Sequence, residues 1–351
     1  RTKLYTEMAV DQTLLYNPLP RQQEYFLGHG DIEHPLAIQL GGNDPELVGQ
    51  AAKMCETFGG FDEINLNCGC PSPKVSKRCF GARLMLDPER VRRIVSTMGR
   101  QVCRAEVTVK CRIGVDQRDS YPELCEFVVA VRSCGVRHLI VHARKCLLEG
   151  LSTSENRSVP PLRYEVVDRL IRDFPDMRFT LNGGVKTLEA TTEHLTGGTI
   201  IENPAHGWEE DDVTRLVCRP VHGVMIGRAA WHNPWMMRHA DVRIFGAATN
   251  PDWKSRREVV REYVDYAEAL HERYGTVKDF NQDCYGYPAN VLIRPLIHLF
   301  AGQPNCARFK QRMCREWELS KVGNKGTASV RDLLDAGLEE IPVYVLDSTH
   351  Y

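Results

Sequence analysis

Cys70 is the residue of this chain best placed to do chemistry. It closes the run Glu63-Ile64-Asn65-Leu66-Asn67-Cys68-Gly69-Cys70-Pro71-Ser72, in which Ile64 and Leu66 face one way and Asn65 and Asn67 the other, as in a half-buried strand. Gly69 and Pro71 end the ladder and leave Cys70 on a tight turn beyond it. A thiol there can donate a proton, attack a carbon or bind a metal, whereas most cysteines pack as small hydrophobes. Cys68 could form a redox pair or half of a metal site. The remaining cysteines are scattered singly with no Cys-x-x-Cys spacing, so no metal is expected.

Other polar residues recur at equivalent places. Strand-like apolar runs occupy residues 4–8, 36–40, 62–67, 106–110, 138–142, 178–182 and 223–227, and helical periodicity fills much of the space between them, as at 45–58, 88–98, 121–134 and 163–174. Strand and helix alternating every ~30 to 45 residues argue for parallel βα units, one strand short of an eight-stranded barrel. Gln39, Asn67, Lys110, His142, Asn182 and Arg228 each stand at or just past the end of a different strand. In a βα barrel those ends converge on one face, while an open doubly wound sheet gathers its ligand at one switch point. Taken singly, Lys110 could snorkel at a rim, His142 could be a satisfied core histidine, and Asn182-Gly183-Gly184 could be only a turn. Their repetition favours a shared site. Gly183, Gly184 and Gly227, next to Arg228, would let backbone amides approach a phosphate, and Lys110, Gln39 and Asn67 offer what an isoalloxazine ring can use. No Gly-x-Gly-x-x-Gly or Walker loop is present, so flavin mononucleotide is the cofactor expected.

Bulk composition excludes little. The chain has 351 residues, a formal net charge of −1 and 13 cysteines, which suits a large domain plus a smaller one with its thiols reduced. No stretch approaches the ~18 apolar residues of a membrane span, and residues 1–6 resemble no signal peptide. A start at Arg rather than Met leaves the localisation open between cytoplasmic and organellar.

Together these segments resemble the tRNA-dihydrouridine synthases, most closely the bacterial-type branch acting at positions 20 and 20a. The resemblance runs in order through Leu4-Tyr5-Thr6-Glu7-Met8, Ala37-Ile38-Gln39-Leu40-Gly41-Gly42, the Asn67–Ser72 motif, Val107-Thr108-Val109-Lys110-Cys111-Arg112-Ile113-Gly114, Val141-His142-Ala143-Arg144, Asn156-Arg157-Ser158-Val159-Pro160-Pro161-Leu162-Arg163, Asn182-Gly183-Gly184 and Gly227-Arg228-Ala229. It implies a (β/α)8 TIM barrel over residues 1–245, with its first strand preceding this chain, and a smaller all-helical tRNA-binding domain over 252–340. It also implies FMN, NADPH as reductant, tRNA as partner and reduction of a D-loop uridine, in a monomer without membrane attachment. Cys70 would protonate C5 of the uracil, Lys110 and His142 would hold flavin and substrate, and Gln39, Asn182, Gly183, Gly184, Gly227 and Arg228 would complete the flavin site. Asn67 would touch the nucleotide, and Cys68 is left to packing. A flavin barrel reducing a free pyrimidine or enone, and a catalytically silent tRNA-binding protein, are the alternatives.

From about residue 252 helical patterns take over, at 255–274, 290–300, 305–320 and 329–338. Between Cys306 and Lys325 six basic residues face only Glu316 and Glu318, so phosphate contacts are expected there, chiefly from Arg308 and Arg312, with Arg294 and Arg157 behind them. Ser154 and Gln311 stand where the branch resembled has basic residues, and residues 196–217 form a polar, acidic insertion expected to be a surface loop.

Overall fold

Among the described residues, seven parallel strands carry the amino-terminal part of the protein in one sheet of order β1 (Leu4–Val10), β2 (Leu36–Gly41), β3 (Glu63–Cys68), β4 (Glu106–Arg112), β5 (His138–His142), β6 (Arg178–Asn182) and β7 (Gly223–Met225). The computed structural model describes residues 2–202, 215–249, 253–276, 278–279, 284–321 and 328–349. Every neighbouring pair in this sheet is parallel. Successive strands are linked by helices, including Pro45–Phe58, Pro88–Gln101, Tyr121–Arg132, Tyr164–Asp173 and Leu188–Thr196. Helix starts are set by short polar side chains. Asp44 accepts from the amides of Glu46 and Leu47 at 2.9 and 3.0 Å, Asp87 from Arg90 at 3.0 Å, and Ser120 forms a reciprocal capping box with Glu123.

Alternation along the strands gives the sheet two different faces. Ile38, Leu40, Ile64, Leu66, Val109, Leu139, Val141, Phe179 and Leu181 share one buried apolar cluster with the helix residues Val48, Ala51, Ile94, Phe127 and Leu170, so this face meets the helices. The opposite, inner face carries Gln39, Glu63, Asn65, Asn67, Thr108, Lys110, Arg112, His142, Thr180 and Asn182, in register across neighbouring strands. Polar residues therefore line the interior, where each one needs a partner.

By contact the chain divides into two units, Arg1–Gly227 and Arg228–Tyr351. The division precedes the expected boundary at 245–252 because Trp235 is buried in the second unit's core with Val260, Val264, Leu292, Phe300 and Phe309. Its ring lies under the guanidinium groups of Arg256 and Arg238, 4.2 and 4.5 Å from the centroid. Among the described residues, the regular structure of that unit is helical apart from a short antiparallel ribbon, Lys278–Asp279 with Cys284–Tyr285. The expected helix over 290–300 is broken into Ala289–Leu292 and a 3-10 turn at Arg294–Leu296, since Pro295 has no amide to continue the ladder. The insertion contains an antiparallel ribbon, Ile200–Glu202 with Arg215–Val217, and Arg219 just past it donates its amide and Nη1 to the buried carboxylate of Asp168, both at 2.6 Å. Its acidic residues 209–212 lie outside the described residues, as does Lys325.

Two of the helices touch through a glycine. A Cβ on Gly49, in Pro45–Phe58, would stand 2.4 Å from Cγ2 of Thr97 in Pro88–Gln101. Gly49→Ala is expected to cost about 1–3 kcal/mol in urea unfolding through overpacking, and Thr97→Ser, which removes that methyl, is expected to restore most of it. A Gly49→Ala midpoint equal to wild type would contradict this packing.

Candidate active site

At the carboxyl end of the sheet Asn67 faces the turn that carries Cys70. Its Oδ1 accepts from the amides of Gly69 and Cys70 at 3.1 and 3.0 Å, while its Nδ2 donates to Gln39 Oε1 at 2.6 Å. The carbonyl of Gly69 is held from the other side by Arg112 Nε at 3.2 Å. Past Cys70 the chain turns back, Ala82 donating its amide to the Cys70 carbonyl at 3.0 Å. Gly81 permits this with φ of 68°, and a Cβ there would lie 2.7 Å from that same carbonyl oxygen. Cys70 is half-buried, whereas Cys68 is fully buried, its thiol pushed far up by burial.

Lys110 and Asn182 meet across the intervening β5, Nζ donating to Oδ1 at 3.1 Å, and Asn182 Nδ2 donates to the Met225 carbonyl at 2.8 Å. His142, at the end of β5, packs against Gly183, whose φ is 109° and where a Cβ would stand 2.5 Å from the imidazole. Gly184 also has positive φ, 76°, and Tyr164 OH donates to the Gly183 carbonyl at 2.7 Å. The structure thus brings Gln39, Asn67 and the Cys70 turn into one bonded group, and Lys110, Asn182, His142 and Gly183 into strand-end contacts beside it. Gly227 is open, with nothing among the described residues within 4 Å of a Cβ built there.

Sequence reasoning missed Arg112. It is only 2% exposed and bridges two loops, donating to the carbonyls of Gly69 in one and of Asn156 (2.9 Å) and Lys145 (3.3 Å) in the other. Asn156 is itself fully buried, its side chain exchanging hydrogen bonds with the Leu147 backbone at 2.8 Å each way. Neighbouring Arg157 is exposed on the short turn Glu155–Arg157. The strand alternation around Lys110 signals that residue 112 shares its face, which is the one clue the sequence held. Glu63, Asn65 and Thr108, below Gln39 and Asn67 on the same face, were also passed over.

The model of the family described as Dihydrouridine synthase (Dus) matches residues 1–201. The tRNA-dihydrouridine(20/20a) synthase of Pseudomonas aeruginosa is 41% identical over 310 residues, 88% of this chain and 80% of its own length. The proteins of that name from Synechocystis sp. and Salmonella typhimurium are each 37% identical, over 92% and 96% of this chain and 84% and 86% of theirs. The chain belongs to the dihydrouridine synthase family. Its fold class is accordingly the (β/α)8 barrel followed by a smaller helical domain.

In this dihydrouridine synthase the carboxyl-end site is cationic. Burial, and then the charge of Arg112, push Lys110 down to about 8. Burial likewise brings Arg112 down to about 10, opposed by the thiols of Cys146 and Cys70 and reinforced by Arg144 and Arg157. Among the described residues neither group forms an ion pair with a carboxylate; Lys110 donates to Asn182 and Arg112 to backbone carbonyls. Buried cations without counterions destabilise a fold unless an anion joins them.

In the second unit Arg228 opens the helix Arg228–His232, and Arg294 and Arg308 are exposed. Arg312 is half-buried and paired with Glu316 at 3.0 Å and Glu339 at 3.8 Å, so part of its charge is already neutralised.

Lys110 titrates near 8 in the folded chain against an ordinary 10.5, so between those values the unfolded state binds more protons and stability rises with pH. Across that window wild type is expected to gain urea stability on a Lys110→Met variant. Parallel pH curves for the two would rule out a depressed ammonium.

Proposed function

We propose that this protein reduces uridine in the D-loop of tRNA to 5,6-dihydrouridine, at positions 20/20a, with FMN bound in the barrel, NADPH as reductant and Cys70 as the proton donor. What carries the reading is a half-buried thiol held on its turn by Asn67 and Arg112, beside two cations, the half-buried Lys110 and the buried Arg112, that form no ion pair with a carboxylate among the described residues. The relatives named above support the substrate.

The donors left over suit a flavin. Lys110 has three N–H groups and gives one to Asn182; Gln39 gives one amide hydrogen to Asn65, accepts from Asn67 and keeps its other hydrogen. Ring carbonyls and nitrogens accept such bonds. Lys110, Gln39, His142, Asn182, Gly183 and Gly184 would hold the group within the barrel, with Gly227 and Arg228 as the further phosphate-side candidates. When bound and reduced, FMN supplies the hydride that adds to C6 of the uracil. Addition at C6 leaves negative charge on C5 and O4, and Cys70 Sγ holds the proton that C5 takes. A thiol suits this step, being more acidic than an alcohol and less acidic than a carboxyl. The positive charges of Lys110 and Arg112 lower the energy of that developing anion.

A uracil can reach such a site only out of its stack, at a cost of a few kcal/mol that is smallest in a loop. Phosphate contacts from Arg157, Arg294 and Arg308, and less from Arg312, would hold the tRNA, with Asn67 near the nucleotide.

Mapping dihydrouridine in tRNA from cells lacking the protein tests this directly. The modification at 20/20a is expected to disappear, to return with the wild-type gene, and to stay absent or fall by about 10²- to 10⁴-fold in rate with Cys70→Ala. An unchanged map in the null cells sinks the proposal. Turnover of free uracil without tRNA binding would favour a small-molecule reductase, and tRNA binding without turnover a silent RNA-binding protein.

A further inference from the structure

Beneath the Cys70 turn lie three polar residues that the reaction does not touch: Glu63, Asn65 and Thr108, each with no accessible surface. Together with Gln39 and Asn67 they form one unbranched chain across β2, β3 and β4. Thr108 Oγ1 donates to Glu63 Oε1 at 2.5 Å, Asn65 Nδ2 donates to Thr108 Oγ1 at 2.7 Å, and Gln39 Nε2 donates to Asn65 Oδ1 at 2.8 Å. Asn67 Nδ2 donates to Gln39 Oε1 at 2.6 Å, and Asn67 Oδ1 receives the amides of Gly69 and Cys70.

The ends of this chain have no freedom. Backbone amides can only donate, so Asn67 must turn its oxygen to the Cys70 turn and its nitrogen to Gln39. A carboxylate can only accept, so Thr108 must spend its proton on Glu63 and receive from Asn65. Glu63 is held as an acceptor by Lys3 Nζ at 2.7 Å and Tyr5 OH at 2.8 Å, and its charge joins burial in pushing the Tyr5 hydroxyl far up. Both ends therefore dictate the same orientation for all three carboxamides. A reversed carboxamide anywhere would set two donors or two acceptors face to face in a largely buried row, at the cost of an unmet hydrogen bond.

We infer that Glu63 is a positioning residue for Cys70, acting through a one-way hydrogen-bond chain in which Thr108 is the obligatory link. The same chain fixes which hydrogen of Gln39 remains for a ligand. Only the turnover consequence rests on the function proposed above; the hold on the turn does not.

The test compares full-length wild type, Thr108→Val, Thr108→Ser and Glu63→Gln. Thr108→Val keeps the shape but can neither accept from Asn65 nor donate to Glu63; Thr108→Ser keeps both bonds. Peptide-resolved deuterium exchange reads the amides of Gly69 and Cys70, and steady-state kinetics read dihydrouridine formation. In Thr108→Val those two amides are expected to exchange about tenfold faster, with exchange in β5 and β6 unchanged. Turnover should fall about tenfold, with KM for tRNA within about twofold. Thr108→Ser should restore both. Glu63→Gln, whose amide can donate as well as accept, should accelerate the same amides by about threefold, and it serves as the readout should Thr108→Val not fold. Unchanged exchange in Thr108→Val or Glu63→Gln overturns the inference, and so does a Thr108→Ser as impaired as Thr108→Val, which would mark the site as packing alone. Should wild type form no dihydrouridine, the function falls while the exchange result still judges the chain.

Discussion

The carboxamide of Asn67 is the junction on which the site depends. One end holds the backbone of the Cys70 turn and the other end binds Gln39, so the thiol's turn and the polar interior of the barrel share one side chain. A parallel sheet covered by helices on one face must fill its inner face with side chains, and here many are polar. In a low-dielectric interior each such group is costly alone and stabilising in a satisfied network. Period-two alternation explains how the network forms. Residues 63, 65 and 67 on β3 and 106, 108, 110 and 112 on β4 point the same way, in register.

Arg112 is the counterpart of Asn67 on the carbonyl side. A buried guanidinium has five donors to satisfy, and three carbonyls from two loops accept from it here. That arrangement ties the Cys70 turn to the segment around Asn156 without using a carboxylate, so the positive charge remains available. An Arg–Glu pair would have held the loops equally well and cancelled the field. Burial works in opposite directions on the neighbouring groups: it pushes the thiols of Cys68, Cys111 and Cys146 up and so keeps them protonated, while bringing the Lys110 ammonium down to about 8. An anion beside Lys110 and Arg112 would reverse that last effect.

Strand order, most helices and the line of residues at the strand ends were legible because they rest on local signals: alternation, capping residues after strands, and glycines beyond them. Thr108, Asn65 and Glu63 were not, because each is ordinary in a half-polar strand, and their meaning lies in the register between strands rather than along any one of them. Arg112 reads from sequence as a strand-end cation like Lys110, and only its burial shows that it holds backbone. The division by contact at Arg228 was not legible for a similar reason. Residues 228–245 carry no long helical pattern of their own, yet Trp235 among them is buried in the second core.

Chain polarity also bears on why amides, not hydroxyls, fill the middle of the network. A hydroxyl can rotate its proton and so accommodates either direction, as Thr108 would if Glu63 did not demand its proton. A carboxamide must flip its whole plane to reverse, breaking two bonds at once, so Asn65, Gln39 and Asn67 carry direction over distance better than three serines could. The cost is that the orientation must be set somewhere, and a carboxylate at one end with backbone amides at the other is the simplest pair of groups that sets it. Glu63, fully buried and bonded to Lys3, Tyr5 and Thr108, is held as an acceptor, and the orientation it imposes agrees with the one the amides of the Cys70 turn require.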